Sequence, residues 1–276
     1  MVSLHFNLHL SLFFVTFADV HLRLMKMQKR RFIGIIPARY ASTRFPGKPL
    51  AMLGGKSVIS RVYEQVSRVL GHVYVATDDE RIFTHVSAFG GRAVMTSVHH
   101  QSGTDRIQEA MAKIGASEFD VVVNVQGDEP FIQRSQIETV MACFEDERTQ
   151  IATLGMPFTA RHSLEDLENP NSPKIVLDND GYALYFSRSV VPFVRSAGRR
   201  EWMGRFPFLK HIGLYAYRTD VLSQITALPP SALELAESLE QLRWLQNGFR
   251  VKVGITSVET IGIDTPEDLM RAEQLL

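Results

Sequence analysis

The sequence predicts an α/β fold: a mostly parallel sheet flanked by helices, with an inserted antiparallel section. Three observations carry this. Strand-like and helix-like runs alternate four times before residue 126. The strand-like runs are apolar on both faces, as strands of a covered parallel sheet must be. After Pro157 the alternation gives way to strand-like runs separated by turns.

FIGIIP (32–37) reads as the first strand. SVISRVYEQVSRVL (57–70) carries apolar residues at helical spacing, and HVYVAT (72–77) returns as a strand. DDERIFTHVSAFG (78–90) is a helix ending at Gly90, and RAVMT (92–96) a short strand. GTDRIQEAMAKIG (103–115) is the next helix, and DVVVNVQ (120–126) a strand with no polar face before Asn124. KIVLD (174–178) and YALYFS (182–187) flank Asn179, Asp180 and Gly181, a hairpin signal, and HIGLYAY (211–217) adds a strand. SALELAESLEQLRWLQNG (231–248) reads as one strong helix closed by Gly248. RVKVGIT (250–256) is a strand, and a helix from Pro266 ends the chain. With no repeat or low-complexity linker, residues 31–276 are expected to form a single domain.

The totals narrow the function. A chain of 276 residues can bury a sizeable core. Thirty Lys and Arg balance thirty Asp and Glu, so no nucleic-acid partner and no stable membrane contact are expected, and any anion site is local. The single cysteine, Cys143, cannot form an internal disulfide, which fits a reducing cytosol. It sits in an apolar helix-like stretch and is expected to pack as a small hydrophobe. One Cys and scattered His residues do not make a zinc cage. In residues 1–30, LSLFFVTFADV precedes the charges of Lys26, Lys29, Arg30 and Arg31, the reverse of a signal peptide. The apolar stretch is also too short to span a bilayer. It reads as an extension outside the fold, with the domain's start at Met25 or Met27; a membrane anchor is the alternative.

GIIPARYASTRFPGKPL (34–50) leaves the first strand and at once presents Arg39, Arg44 and Lys48. Pro37, Pro46 and Pro49 deny it a helix. In open α/β sheets ligands bind beyond the carboxyl ends of the strands. Three cations in a stiff loop there suit a polyanion such as a triphosphate, with backbone N–H groups near Ala38 and Gly47 as further donors. A solvated basic loop is the bland alternative. GGKS (54–57) is not a Walker A loop, because Leu50 stands where the first glycine belongs; it reads as a tight turn.

VVVNVQGDEP (121–130) ends a buried strand and presents Gln126, Asp128 and Glu129, with Gly127 admitting a close approach. Carboxylates there suit a hard divalent cation with phosphate ligands, or form a plain polar turn. In GIDTPEDL (262–269), Thr265 and Pro266 are an ordinary helix entry. That leaves Asp264, at the end of the strand-like run TIGI, as a candidate second metal carboxylate. In HQSGTDR (100–106), Ser102, Gly103 and Thr104 can bind polar ligand edges or simply cap the helix. His211 and Tyr215 share one face of their strand. Glu240 and Gln241 on the long helix, and Arg188 after YALYFS, carry no signal of their own.

Taken together and in this order, IIPARYASTRFPGKPL, HQSGTDR, VNVQGDEP, GYALYFSR, HIGLYAYR, LEQLR and GIDTPEDL closely resemble the CMP-Kdo synthetases (3-deoxy-manno-octulosonate cytidylyltransferases). The resemblance runs from about residue 31 to 276. It implies a nucleotide-diphospho-sugar transferase-like fold and a cytoplasmic homodimer. It also implies Mg²⁺-dependent transfer of CMP from CTP to Kdo, releasing pyrophosphate, for lipopolysaccharide biosynthesis. By the same resemblance Arg39 and Lys48 would hold the triphosphate. Ala38, Ser102, Gly103, Thr104, Gln126 and Asp128 would line the nucleotide pocket, with Asp78 of VATDD beside it. Arg44, His211, Tyr215, Glu240 and Gln241 would bind the sugar, and Asp128 and Asp264 the Mg²⁺. Arg39, Arg44, Lys48, Asp128 and Asp264 would then carry catalysis by in-line attack of the sugar 2-hydroxyl on the α-phosphorus. No Ser-His-Asp or Cys-His arrangement offers a covalent nucleophile. The alternatives are a cytidylyltransferase for a related 2-keto acidic sugar, a nucleotide-binding protein without turnover, and a glycosyltransferase consuming a nucleotide sugar.

Overall fold

The run FIGIIPA forms strand β1 (Phe32–Ala38), and the sheet grows from both its edges. The computed structural model describes residues 30–115, 119–259 and 261–276. The expected N-terminal extension and its possible starts at Met25 or Met27 lie outside the described residues, apart from Arg30. Among the described residues, no helix is long and apolar enough to cross a membrane.

On one edge of β1 lies β2 (Val73–Thr77), followed by β3 (Ala93–Met95), both parallel to their neighbours. Helix α1 (Val58–Ser67), α2 (Glu80–Ala88) and α3 (Gly103–Ile114) are the intervening crossovers. Ser57, Asp79 and Ser102 cap them, each accepting a backbone N–H of the first turn. Gly54 and Gly55, both at positive φ, make the tight turn of a two-strand ribbon just before α1. On the other edge of β1 lies β4 (Val121–Asn124), also parallel.

Beyond β4 the sheet turns antiparallel. After α4 (Arg134–Ala142) and β5 (Ile151–Pro157), the hairpin β6 (Lys174–Leu177) and β7 (Ala183–Ser187) forms around Gly181. Strand β8 (Leu209–Arg218) then inserts between β4 and β5, antiparallel to both, and β6 pairs onto its start. After α5 (Thr219–Thr226), α6 (Ala232–Glu237) and α7 (Gln241–Gln246), β9 (Val251–Ile255) pairs in parallel with β5, and α8 (Pro266–Glu273) ends the chain. Read across the sheet, the order is β9-β5-β8-β4-β1-β2-β3.

Alternation along the strands feeds two cores. β4 sends Val121 and Val123 to the face covered by α1 and α4, and Val122 to the face covered by α3, α5 and α7. A bulge in β8 leaves Gly213 and Leu214 unpaired opposite β5. The insertion is of two residues, so the facing is preserved: Ile212, Leu214 and Ala216 enter one core, and Tyr215 and Tyr217 the other. Thr153 Oγ1 fills the bulge, 3.1 Å from the Ile212 carbonyl and 2.9 Å from that of Leu214.

Three expectations need correction. Residues 231–248 are not one helix. The run breaks after Glu237, where Ser238 takes the left-handed conformation (φ 49°), the only non-glycine residue to do so among the described residues. That costs about 1–2 kcal/mol for an L-residue, and contacts from β7 described below offset it. Among the described residues of the strand-like run before Asp264, Ile261–Ile263 make no ladder; instead the Ile263 N–H donates to the Asp128 carbonyl at 2.9 Å. Gly47 has no backbone donor to spare, because its N–H closes the loop onto the Tyr40 carbonyl at 2.9 Å.

Gly127 is where two strand ends meet. A Cβ there would lie 2.7 Å from the Pro37 carbonyl oxygen, which is backbone and cannot turn aside. Gly127→Ala is therefore expected to lower unfolding stability by about 1–3 kcal/mol, read from urea denaturation midpoints against wild type.

Candidate active site

A cavity of about 270 Å³ opens at the carboxyl ends of β1 and β4. The loop after β1 contributes Ala38, Arg39, Arg44 and Lys48; the start of α3 contributes Ser102 and Gly103; the turn after β4 contributes Gln126, Gly127 and Asp128; and Asp264 closes one side. All ten of these residues were singled out from sequence, and they share one site. Ser102 holds both of its readings at once: its side chain caps α3, accepting the Asp105 N–H at 3.1 Å, while the residue lines the cavity.

Opposite charges meet inside it. Lys48, only 13% exposed at its side chain, places Nζ 2.5 Å from Asp128 and 3.2 Å from Asp264. Arg44 reaches the other oxygen of Asp264 at 3.1 Å, so it pairs with a carboxylate rather than standing free for a second ligand. Arg39 is exposed and has no carboxylate partner among the described residues. Next to Asp128, burial and then the Asp128 charge push the Glu129 carboxyl up to about 8, and its Oε2 has no partner.

Asp78 and Thr104 do not line the cavity. Asp78 stands behind Arg106, accepting from its Nη2 at 2.7 Å. Arg106 is 4% exposed, and its Nη1 also donates to Thr96 Oγ1 at 2.6 Å; it is this guanidinium that lines the cavity. Thr104 is buried and donates its hydroxyl to Glu240 at 2.9 Å. Sequence reasoning gave Arg106 and His100 no role, although both lie in HQSGTDR. His100 lines the cavity with its Nε2 on the Glu109 carboxylate. Burial raises the pKa of Glu109, but Lys113, the Ser97 N–H and His100 together hold it down to about 2. A buried arginine with its counter-ion 28 residues away, on another element, leaves no local pattern to read.

His211, Tyr215, Glu240 and Gln241 form a second cluster, outside that cavity. The His211 and Tyr215 rings lie 5.4 Å apart, Tyr215 stacks on Tyr217 at 5.9 Å, and both tyrosines meet the edge of Trp244. Burial pushes the Tyr215 and Tyr217 hydroxyls well up, so they stay neutral donors. Glu240 accepts from Thr104 and from Arg243 Nη2 at 2.9 Å, and burial raises its pKa. Three buried donors here, Tyr215 Oη, Gln241 Nε2 and Trp244 Nε1, have no acceptor among the described residues. Unmet buried donors are costly and point to a ligand with acceptor oxygens. The clusters touch through Thr104 and Glu240, and through a chain in which Gln126 Nε2 donates to Asn124 Oδ1 (3.4 Å) and Asn124 Nδ2 to Tyr217 (3.5 Å).

A family model described as cytidylyltransferase matches residues 33–260. The chain belongs to the cytidylyltransferase family. Within that family it is 67% identical over 246 residues to a 3-deoxy-manno-octulosonate cytidylyltransferase of Bacteroides thetaiotaomicron, covering 89% of this chain and 98% of that one. It is 46% identical to an 8-amino-3,8-dideoxy-manno-octulosonate cytidylyltransferase of a Shewanella species, over 88% of this chain and 97% of that one. Its fold superposes with a TM-score of 0.81 on a CMP:2-keto-3-deoxy-manno-octonic acid synthetase complexed with CTP, at 41% identity, covering 89% and 98% of the two chains. The fold class expected from sequence, a mixed sheet of the nucleotide-diphospho-sugar transferase kind, is the one this cytidylyltransferase has.

Burial pushes His211 down to about 4 from its ordinary 6.5. Between those values the unfolded chain binds a proton that the folded chain does not, so acid favours unfolding across that window. In His211→Gln the loss of stability from pH 6.5 to pH 4 should be shallower than in wild type, measured as urea midpoints across that range.

Proposed function

We propose that this chain transfers CMP from CTP to 3-deoxy-D-manno-octulosonate, giving CMP-Kdo and pyrophosphate. What carries this reading is the set of charges at the carboxyl end of β1, Lys48 between Asp128 and Asp264 with Arg39 alongside, in a chain 67% identical to a protein of that name. The setting is proposed to be the bacterial cytoplasm, and the product to feed lipopolysaccharide assembly. The working form is proposed to be a homodimer.

The donor set fits Mg²⁺. Two carboxylates face one cavity and already share a cation, the Lys48 ammonium. Among the described residues no third acidic, His or Cys side chain joins them, which suits an ion that keeps waters and takes the rest of its ligands from substrate phosphates. Asp128 and Asp264 would hold Mg²⁺, which when bound supplies charge neutralisation at the phosphates and a lowered pKa for the attacking hydroxyl.

The chain's own residues do the positioning. Arg39 and Lys48 draw the triphosphate to the end of β1, while Ser102, Gly103, Gln126 and Arg106 wall the nucleoside side. The cluster of Tyr215, Gln241 and Glu240 offers donors and a carboxylate to the sugar, and Thr104 joins it to the nucleotide wall. Holding two anionic substrates in line, with their repulsion offset by fixed charge, accounts for the rate without a covalent intermediate. Lys48 stands between Asp128 and Asp264, so a triphosphate that offers the ammonium other anions would leave these two carboxylates free to hold the ion.

Purified protein with Mg²⁺, CTP and Kdo should release pyrophosphate, and neither substrate alone should do so. Release with CTP and 8-amino-3,8-dideoxy-manno-octulosonate but not Kdo would overturn the sugar assignment; no release with either sugar would overturn the reading. Lys48→Met should lower kcat/KM by about 2–4 kcal/mol in transition-state terms. The same variant, free of nucleotide, should bind Mn²⁺ at least tenfold more tightly than wild type by isothermal titration, because the carboxylates lose their internal cation.

A further inference from the structure

The break at Ser238 separates two short helices that the sequence would run together. Its surroundings are built. Glu237, the last residue of α6, accepts the Ser187 hydroxyl at 2.6 Å and the Arg188 N–H at 2.9 Å on its carboxylate. Arg188 then returns the contact: its Nε donates to the Glu237 carbonyl at 2.6 Å and its Nη2 to the Ser238 carbonyl at 3.2 Å. The same guanidinium donates through Nη1 to the Pro170 carbonyl at 2.8 Å. Lys174, wholly buried, fixes the Arg188 carbonyl at 2.8 Å and the Asn169 carbonyl at 3.1 Å.

Arg188 thus spends its fork on backbone carbonyls of two segments, among them those a helix leaves open at its end. A lysine has no such planar fork and could not reach all three. Only two residues beyond the break stands Glu240, on Thr104, and next to it Gln241, with its buried Nε2 unmet. Were the run continuous, Glu240 and Gln241 would stand about one turn further along the α6 axis, away from these partners.

We propose that Arg188, together with Glu237, is a positioning residue for the sugar side of the site: it holds the helix break at Ser238 and so sets where Glu240 and Gln241 stand. This rests on the reading of that cluster as the sugar site. The hairpin end of β7 is then coupled to sugar binding without touching the sugar, while the nucleotide wall, built on β1, β4 and α3, makes no contact with Arg188 and meets Glu240 only through the Thr104 hydroxyl.

The test is steady-state kinetics with each substrate varied in turn. Arg188→Lys should raise KM for Kdo at least tenfold and leave KM for CTP within twofold. Adding Ser238→Gly should recover at least threefold of that loss, because glycine takes the left-handed conformation without help. Glu237→Gln is the second variant, with the same substrate pattern expected should Arg188→Lys fold poorly. Equal rises in both KM values, or no change in either, would overturn the proposal. So would a Kdo-specific loss that Ser238→Gly leaves untouched, which would put Arg188 on the sugar itself. Wild-type turnover with CTP and Kdo checks the underlying reading separately: if it fails, that reading falls and this inference with it, whereas variant failure in an active wild type sinks this inference alone.

Discussion

The insertion of β8 between β4 and β5 is the constraint on which the rest depends. It pairs Tyr215 with Asn124 on one side and with Thr153 on the other, so one strand joins the parallel, nucleotide-facing part of the sheet to the antiparallel part. Register sets the chemistry here. A slip of one residue would send Tyr215 and Tyr217 to the opposite core and bring Leu214 and Ala216 among the polar groups. The bulge adds two residues and so avoids that slip, and the single Thr153 hydroxyl proton lies within reach of both freed carbonyls, nearer that of Leu214. Buried carbonyls without a donor would carry a penalty of about 1–3 kcal/mol each, so one threonine hydroxyl and the His211 ring beside it hold the join together.

Charge in the first cavity is arranged so that its enclosed groups are paired before a ligand comes, and only exposed Arg39 has no carboxylate partner among the described residues. Lys48 is largely enclosed, and a lone ammonium there would be strongly unfavourable; two carboxylates balance it. The same two carboxylates, without Lys48, would repel each other. Exposed Arg39 can wait in water, and Arg106, nearly buried, is tied to Asp78 and Thr96. The cavity is therefore preorganised for anions by pairs that a triphosphate can rearrange rather than by bare charge, and the ordering cost of binding is met during folding.

Much of this was legible in the sequence, for physical reasons that differ by element. Strands β1, β2 and β4 and helices α1 to α3 were readable because local period and burial agree there: Ser57, Asp79 and Ser102 cap where the pattern starts. The parts of the cavity at Arg39, Gln126 and Asp128 are readable because these residues follow the ends of β1 and β4 closely. Strand β5 was not assigned, since IATLGMP has no turn signal to mark it off from the helix before it. The single helix expected over 231–248 failed because its composition is truly helical; the break is imposed from outside by Arg188, which nothing local in SALELAESLEQLRWLQNG reveals. Arg106 escaped notice for the same reason, its partner Asp78 lying on another element. The break at Ser238 and the Arg106–Asp78 pair both rest on long-range polar pairing, which leaves no local pattern in the sequence.

The two clusters differ in what they lack, and the difference assigns them different ligands. The β1 cavity has its charges paired and one exposed arginine to spare. The cluster on β8 and α7 instead keeps three buried donors, Tyr215, Gln241 and Trp244, without acceptors. Folding has already left them short of water, at a cost of about 1–3 kcal/mol for each unmet group. A ligand that brings several oxygens recovers that deficit, and one that brings only apolar surface does not. A carboxylated, polyhydroxylated sugar is such a ligand, and a nucleobase is a poorer one. His211 held neutral by burial, with Tyr215 kept protonated, gives this cluster neutral groups beside the Glu240 carboxylate and its Arg243 partner. Under the proposed function, separating recognition by charge from recognition by unmet donors would let one sheet end hold two anionic substrates without placing both in the same field.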